Sequence, residues 1–247
     1  MPALSKLSIA ANVAVIGASG GIGAEFVRQL SAAQHIAQVH AFSRGETDFT
    51  DDKVLSHTID ITDEDSVRHA ALAASAEAPL DAVIVATGML HAGSIQPEKS
   101  LTQIDPQAML EVMQVNAVGP ALVAKHFLPR MRRDARTVFA ALSARVGSIA
   151  DNRLGGWASY RASKAALNML LKTAAIEQAR RFPECIIVGL HPGTVDTGLS
   201  KPFQRRVPEG KLFTPETSVT HLCRVIDGLS PTDSGRCFAW DGNAVEY

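Results

Sequence analysis

Cysteine is scarce in this chain of 247 residues, and the three that it has lie far apart. Cys185, Cys223 and Cys237 form no C-x-x-C pair, so the sequence predicts neither a disulfide framework nor a cysteine zinc site. We expect these side chains to be buried as small apolar groups. The histidines show no metal-ligand spacing and the H-E-x-x-H pattern is missing, so no metal catalysis is expected.

Net charge is also small, because 24 basic residues balance 25 acidic ones to give −1. This balance argues against binding nucleic acid or an anionic membrane through bulk charge. Residues 7–24 form a long uncharged stretch, but Ser8, Asn12 and its glycines make it too polar to span a membrane. The sequence therefore predicts a cytoplasmic protein.

Short apolar runs alternate with helical patterns along the whole chain. Seven runs predict strands, at residues 13–16, 38–43, 56–60, 81–87, 137–142, 185–190 and 237–240. Helices are predicted near residues 22–30, after a Thr62 cap with Asp65 three residues on, from Asp105-Pro106, over residues 159–181 and from Thr214-Pro215. Most of the runs are apolar throughout, which is typical of a parallel sheet covered by helices on both faces. We predict an α/β fold, a single-domain, doubly wound, three-layer sandwich over residues 1–247 with a seven-stranded, mostly parallel sheet.

A glycine-rich turn joins the first predicted strand to the first helix. Its sequence is Gly17-Ala18-Ser19-Gly20-Gly21-Ile22-Gly23. Glycines here permit a tight turn, a close backbone approach to a pyrophosphate and close packing of the helix on the sheet. The helix N terminus offers N–H groups and partial positive charge to phosphates. Two interpretations stay open: a dinucleotide site, which the position after the first strand favours, and a merely structural turn.

The tip of the second predicted strand bears on the choice of cofactor. It ends in Ser43-Arg44 and carries no acidic residue. A carboxylate at this place binds the ribose 2′-OH of NAD, whereas an arginine pairs with the 2′-phosphate of NADP. The sequence therefore favours NADP(H) over NAD(H). The alternative is a solvated arginine in an exposed loop.

Tyr160 and Lys164 lie four residues apart within the predicted helix 159–181. That spacing places the phenol and the ammonium on one helix face. A nearby cation favours phenolate, so we expect the phenol pKa to lie below its usual value of about 10. Ser143 follows the predicted strand 137–142 at its carboxyl end, where its hydroxyl can hydrogen-bond a substrate carbonyl oxygen. The alternatives are a surface pair without a role and a serine that merely ends a strand.

Gly17-x-x-x-Gly21-x-Gly23, Ser143 and Tyr160-x-x-x-Lys164 together resemble the motifs of the short-chain dehydrogenase/reductase family, in the same order and over nearly the whole chain. Residues 143–164 are particularly similar to the C-factor-type branch. The resemblance implies a Rossmann domain with a cofactor half at about residues 1–135 and a catalytic half at about residues 136–247.

The resemblance also assigns further residues to the site. Asp60, followed by Ile61, matches the aspartate that contacts adenine, and Asn116 matches the asparagine that supports a proton-relay water. The matches to the P-G-x-V-x-T segment, which holds the nicotinamide carboxamide, are Pro192, Gly193, Val195 and Thr197. The family's N-N-A-G segment stands here as residues 85–88, V-A-T-G, so only Gly88 carries over and the asparagine contacts are missing.

The implied activity is hydride transfer between the nicotinamide of NADP(H) and a carbonyl or alcohol substrate. In it Tyr160 donates the proton, Ser143 orients the carbonyl, Lys164 lowers the phenol pKa and holds the ribose, and Asn116 connects the site to solvent. The alternative belongs to a different class, a non-catalytic nucleotide-sensing or cell-signalling protein that has this fold.

Two loops and an interface complete the expectations. The long gap between Ser143 and Tyr160, rich in glycine, predicts a mobile flap over the substrate mouth. Residues 198–213, with Phe203, Arg205 and Arg206, resemble the family's variable substrate loop. The resemblance implies a homodimer or homotetramer built on residues 106–128 and 159–181, which light scattering would reject if it found only monomer at micromolar concentration.

Overall fold

The computed structural model describes residues 3–247, apart from the side chain of Arg206. It contains ten strands in chain order: β1 (Ala11–Ile16), β2 (Ile36–Ser43), β3 (Val54–Thr58), β4 (Ala82–Val85), β5 (Thr137–Leu142), β6 (Cys185–His191), β7 (Thr194–Val195), β8 (Leu212–Phe213), β9 (Cys237–Ala239) and β10 (Ala244–Val245). The helices are α1 (Gly21–Ser31), α2 (Glu64–Ala74), α3 (Pro106–Met113), α4 (Gly119–Phe127), α5 (Ala158–Gln178) and α6 (Pro215–Gly228).

Eight of these strands form one sheet, in the order β10-β9-β6-β5-β4-β1-β2-β3. Every neighbouring pair is parallel except β9 and β10, which are antiparallel. The chain builds β1, β2 and β3 outward in one direction and then returns to place β4 on the other side of β1. Ligands of doubly wound sheets bind in the crevice at such a reversal, beyond the carboxyl ends of the strands.

Two hydrophobic cores lie on the two faces of the sheet. On one face α1 and α6 pack through side chains such as Phe26, Leu30 and Ile226. On the other face α2, α4 and α5 pack, with Phe127 and Leu167 among the fully buried side chains. Each of β1, β4 and β5 is buried along its whole length because helices cover it from both sides. The predicted three-layer α/β fold is confirmed.

The strand prediction needs small corrections. The seven predicted strands are the parallel strands of the sheet, and β5 has the predicted bounds. An eighth strand, β10, was not predicted, because two residues paired to β9 are too short to show a periodic pattern. β3 begins and ends two residues earlier than predicted, since its register pairs Val39 with Val54 and Ser43 with Thr58.

Helix caps follow side-chain chemistry, with one correction. Asp105 and Thr214 cap α3 and α6 as predicted, accepting from the N–H groups of Ala108 at 2.8 Å and Thr217 at 3.1 Å. Thr62 does not cap α2. Its hydroxyl donates to Asp60 at 2.7 Å, and the next residue, Asp63, accepts from the first-turn N–H groups instead.

The three cysteines are buried and unpaired, as expected. None of the helices within residues 3–247 combines the length and apolar character needed to cross a membrane.

Two histidines on neighbouring strands, the buried His40 of β2 and the half-buried His57 of β3, are in contact. Nδ1 of His40 lies 3.0 Å from Nε2 of His57, and both rings stack with Phe42. His40 is only 3% exposed. Burial, together with the nearby charge of His57, lowers the pKa of His40 to about 4. Protonation of this ring is therefore unfavourable in the folded state.

We predict that this pair makes the fold acid-sensitive. The unfolded chain binds a proton at His40 below about pH 6.5, whereas the folded chain does so only near pH 4, so stability falls as pH decreases through this window. His40→Phe removes that titration and should reduce the loss of unfolding free energy between pH 7.5 and pH 5 by about 1–2 kcal/mol. Urea unfolding at both pH values measures it, with the exposed His69→Phe as control. An unchanged loss in His40→Phe would contradict the account.

Candidate active site

The glycine-rich turn brings α1 into direct contact with the end of β1. Gly17 has φ +94°, and a Cβ there would lie 3.0 Å from the backbone of Ala86. A Cβ at Gly23 would lie 2.1 Å from the carbonyl oxygen of Gly17, so only glycine permits this approach. Gly20 precedes α1, and no described side chain caps this end of the helix. Its first-turn N–H groups are thus free to bind an anion.

A cavity of about 560 Å³ opens beside this turn, at the reversal between β1 and β4. Eight of the predicted cofactor residues line it, namely Gly17, Ser19, Gly20, Ser43, Arg44, Asp60, Ile61 and Gly88. The others do not line this cavity, namely Gly21, Ile22, Gly23, Tyr160, Lys164, Pro192, Gly193, Val195 and Thr197. A Cβ at Gly21 would lie 2.8 Å from Cγ2 of Thr197, so the P-G-x-V-x-T segment borders the turn.

Thr87 is a cavity residue that sequence reasoning missed. It follows β4 and lines the cavity, and its hydroxyl oxygen is buried without a hydrogen-bond partner among the described residues. A buried hydroxyl without a partner is costly, so this atom fits a polar group of a bound ligand. Its position just beyond the carboxyl end of a central strand was the available signal. Thr87 stands at the alanine position of the family's N-N-A-G segment, so its hydroxyl is a group that the family pattern lacks there.

Two charged residues stand at the far rim of this cavity. Arg44 is exposed, and no described residue forms an ion pair with it. Asp60 accepts from the hydroxyl and the N–H of Thr62, at 2.7 Å and 2.9 Å. These bonds, and more weakly the charge of Arg44, lower the pKa of the Asp60 carboxyl. The rim therefore offers both a fixed carboxylate and a free guanidinium.

Tyr160 and Lys164 lie one turn apart near the start of α5, as predicted. Both are buried, at 9% and 2% exposure, and Nζ of Lys164 lies 5.7 Å from the centre of the Tyr160 ring. Nζ donates to the carbonyl oxygen of Leu142 at 2.8 Å. A Cβ at Gly88 would lie 3.6 Å from Nζ, so Lys164 borders the cavity that Gly88 lines.

The ionisation of this pair differs from the expectation. Burial raises the pKa of Tyr160 to about 12, so the effect of desolvation exceeds that of the nearby cation. Burial likewise lowers the pKa of Lys164 to about 8. At neutral pH the phenol is therefore protonated and the ammonium is charged.

Ser143 follows the last residue of β5, and its hydroxyl bonds a residue of α5 that comes after Tyr160 and Lys164. The hydroxyl is buried and donates to Oδ1 of Asn168 at 2.7 Å. Asn168 follows Tyr160 by eight residues, about 12 Å along the axis of α5. Ser143 lines neither the 560 Å³ cavity nor the larger one beside Tyr160. In the structure the partner of Ser143 is therefore Asn168, in the middle of α5.

Asn116 is completely buried in a single π-helical turn, Gln114–Val118, between α3 and α4. Its amide exchanges two hydrogen bonds with the backbone of Met89, at 2.7 Å and 2.8 Å. Its Nδ2 also donates to Ser163 at 3.0 Å, and Ser163 bonds the carbonyl oxygen of Tyr160. Asn116 therefore joins the tip of β4 to α5, and the extra residue of the π turn aims it there.

Arg161 of α5 holds the two ends of the segment between Ser143 and Tyr160, whereas residues 149–155 are exposed, and the mobile flap expected here stays a prediction. The guanidinium of Arg161 donates to the carbonyl oxygens of Gly156 at 2.9 Å, Gly155 at 3.2 Å and Val146 at 3.3 Å. Gly155, Gly156 and Trp157 all have positive φ, between +53° and +67°. Their tight turn is bound by an arginine within the Tyr160–Lys164 motif itself.

A series of aromatic contacts leads from Tyr160 through Trp157 to Phe203 and His91. The Trp157 ring packs edge-on against Tyr160 and Phe203, with centres 6.3 Å and 5.1 Å away. Phe203 comes from residues 198–213, and His91 contacts it from the segment after β4, at 5.9 Å. A second cavity, of about 750 Å³, lies on the side of Tyr160 that faces α3. Arg205 is exposed, and the side chain of Arg206 lies outside the described part of the chain.

Comparison with known proteins identifies the family. The sequence profile described as short chain dehydrogenase matches residues 11–207. C-signal of Myxococcus xanthus is 38% identical over 148 residues, 60% of this chain and 84% of that protein. A 1-hydroxy-2-glutathionyl-2-methyl-3-butene dehydrogenase of Rhodococcus sp. (strain AD45) is 28% identical over 236 residues, 95% of this chain and 99% of that protein.

Among solved structures, NADPH-bound carbonyl reductase from chicken fatty liver superposes with a TM-score of 0.84 at 25% identity, covering 98% of this chain and 97% of that one. The match to C-signal agrees with the resemblance to the C-factor-type branch. Since the profile spans most of the sequence and the fold agrees, the chain belongs to the short-chain dehydrogenase/reductase family.

Proposed function

We propose that this protein is an NADP(H)-dependent reductase that transfers a hydride between the nicotinamide and a carbonyl or alcohol substrate. The observation that carries the proposal is the buried pair of Tyr160 and Lys164, in which Lys164 borders the cavity at the reversal of the sheet and Tyr160 lines the cavity of about 750 Å³. Membership of an oxidoreductase family and the fold shared with an NADPH-bound carbonyl reductase support it.

The residues around the cavity fit a nicotinamide dinucleotide. The free N–H groups at the start of α1 bind the pyrophosphate, and Gly17 and Gly20 let the backbone approach it. Asp60 and Ile61 contact the adenine, and Thr87 bonds a polar atom on the adenosine side. Arg44 pairs with the 2′-phosphate. Val195 and Thr197 would hold the carboxamide of the nicotinamide. The reduced nicotinamide ring would supply the hydride when the cofactor is bound.

The chain itself supplies the proton. Because the phenol of Tyr160 is protonated at neutral pH, it would act as the acid that gives a proton to the oxygen of a carbonyl substrate, as reduction requires. The ammonium of Lys164 stabilises the phenolate that forms. Asn116, whose amide is bonded to the Met89 backbone and to Ser163, fixes the tip of β4 against α5.

Ser143 has a positioning role in this proposal rather than the carbonyl-orienting role that its place after β5 implies. Its hydroxyl donates to Asn168, which follows Tyr160 by eight residues on α5. Tyr160 is then the polar group that both orients and protonates the substrate oxygen. The aromatic rings of Trp157 and Phe203 favour an apolar group on the substrate.

One observation favours a second candidate function, a signalling protein with this fold. That observation is the similarity to a protein named C-signal. Binding of NADPH without turnover of any carbonyl would support it over the reductase.

A homodimer or homotetramer also remains a proposal. Exposed apolar side chains on α3 and α5 support it, among them Leu110, Met169 and Ile176. The cytoplasmic location stays a prediction from the sequence.

Tyr160→Phe should abolish NADPH-dependent carbonyl reduction, by more than 100-fold, because the proton donor is lost. NADPH affinity should stay within about threefold of wild type, measured by fluorescence titration, since the ring remains in place. The chain offers a matched control in Tyr247→Phe, whose hydroxyl bonds the carbonyl oxygen of Gly235 away from the site. Retention of more than about 1% of activity in Tyr160→Phe would remove Tyr160 from the acid role.

Arg44→Ala should weaken NADPH binding by about 10- to 100-fold and leave NADH binding nearly unchanged, because only the 2′-phosphate contact is lost. Titration of both nucleotides measures the change in preference. Arg224→Ala, an exposed arginine on α6, is the control for net charge. Equal weakening of both nucleotides would show that Arg44 does not read the 2′-phosphate.

Ser143→Ala should lower turnover by less than about tenfold, whereas loss of a carbonyl-orienting donor costs about 100-fold or more. It should cost about 1 kcal/mol of stability, because Oδ1 of Asn168 loses its buried donor. The effect on stability should not add to that of Asn168→Ala in the double variant. A 100-fold loss of turnover at unchanged stability would show that Ser143 orients the substrate carbonyl after all.

A further inference from the structure

We propose that Glu98 is a positioning residue for Tyr160. Its carboxylate, brought from the segment between β4 and α3, holds the first turn of α5 in place. The inference rests on the proposed function, because it explains how the phenol is kept at the reacting position.

The contacts join Glu98 to the residues immediately before Tyr160. Both carboxylate oxygens lie 3.3 Å from the N–H of Ser159, and the Ser159 hydroxyl also donates to Oε1. The backbone takes part as well, because the N–H of Trp157 donates to the carbonyl oxygen of Glu98 at 2.5 Å. Glu98 is 7% exposed, so these bonds replace water around a buried charge.

The start of α5 needs an external partner. Trp157, which precedes the helix, has φ +53° and provides no side-chain hydrogen bond to the first turn. Gly155 and Gly156 before it also have positive φ, so the chain enters the helix through a turn that few residues adopt. A carboxylate at this end bonds free N–H groups and is favoured by the helix dipole. Glu98 supplies it from 61 residues away in the sequence.

The position of the phenol follows from this contact. Ser159 and Tyr160 are consecutive, and Glu98 and Tyr160 line the same 750 Å³ cavity. Lys164 is anchored separately, one turn later, on the carbonyl oxygen of Leu142. Loss of the carboxylate therefore loosens Tyr160 relative to Lys164 without moving Lys164. Proton transfer is sensitive to such displacements, since about 1 Å of misplacement can cost about 100-fold in rate.

Three substitutions at Glu98 separate its hydrogen bonds from its charge. Glu98→Ala removes the acceptor and should lower kcat for carbonyl reduction by about 10- to 100-fold, with the Kd for NADPH within twofold. Glu98→Gln keeps an acceptor oxygen at the same reach and should recover most of kcat. The side chain in Glu98→Asp is one methylene shorter, so this variant should not recover kcat. Glu111→Ala, an exposed glutamate on α3, is the control.

Amide hydrogen exchange gives a readout that needs no activity. Exchange within residues 156–162 should be faster in Glu98→Ala and in Ser159→Ala, and close to wild type in Glu98→Gln. Exchange within residues 165–178 of α5 should stay unchanged in all of them. If Glu98→Ala fails to fold, Ser159→Ala and Glu98→Asp make the same test.

The outcomes are separable. Unchanged exchange in residues 156–162 or unchanged kcat in the variants that lack the contact would overturn the positioning role, as would a Glu98→Gln variant as slow as Glu98→Ala. If exchange is faster in the variants but the wild-type protein reduces no carbonyl, the contact between Glu98 and Ser159 is supported and the proposed reductase function is rejected.

Discussion

A lysine ammonium buried against a backbone carbonyl is the constraint on which the site depends. Lys164 is 2% exposed, and its described partner is the carbonyl oxygen of Leu142 at the end of β5. Burying a charge with a neutral partner is costly, and the cost is visible in a pKa lowered to about 8. The favourable free energy of packing α5 on the sheet offsets the cost of burying the ammonium. This packing keeps a positive charge within 5.7 Å of the Tyr160 ring and next to the tip of β4.

The remaining features hold α5 in the orientation that this charge requires. Asn116 bonds both Met89, which follows β4, and Ser163, which lies in the second turn of α5. Arg161 binds the turn before the helix, and Glu98 binds the helix start. Ser143 and Asn168 join β5 to the helix further along. Four separate segments of the chain thus bond to one helix, and these bonds fix the part of it that carries Tyr160 and Lys164.

Much of the fold and part of the site follow from local sequence. The glycine turn is recognisable because Gly17 and Gly23 must approach each other, and β5 because it is apolar on both faces. The direction of a side chain beyond a strand end depends on packing, so the partner of Ser143 was not predictable from its position. The phenol pKa was misjudged because spacing reveals a neighbouring cation and not the depth of burial. The contact of Glu98 with Ser159 was not predictable from local sequence because 61 residues separate them in the chain.

The most direct test of the central claim is the consumption of NADPH by the wild-type protein with a panel of apolar ketones, aldehydes and quinones, followed by absorbance. The account predicts turnover with at least one carbonyl and a clear preference for NADPH over NADH. Tight binding of NADPH with no turnover across the panel would contradict it, and would favour a protein that senses the nucleotide without using it.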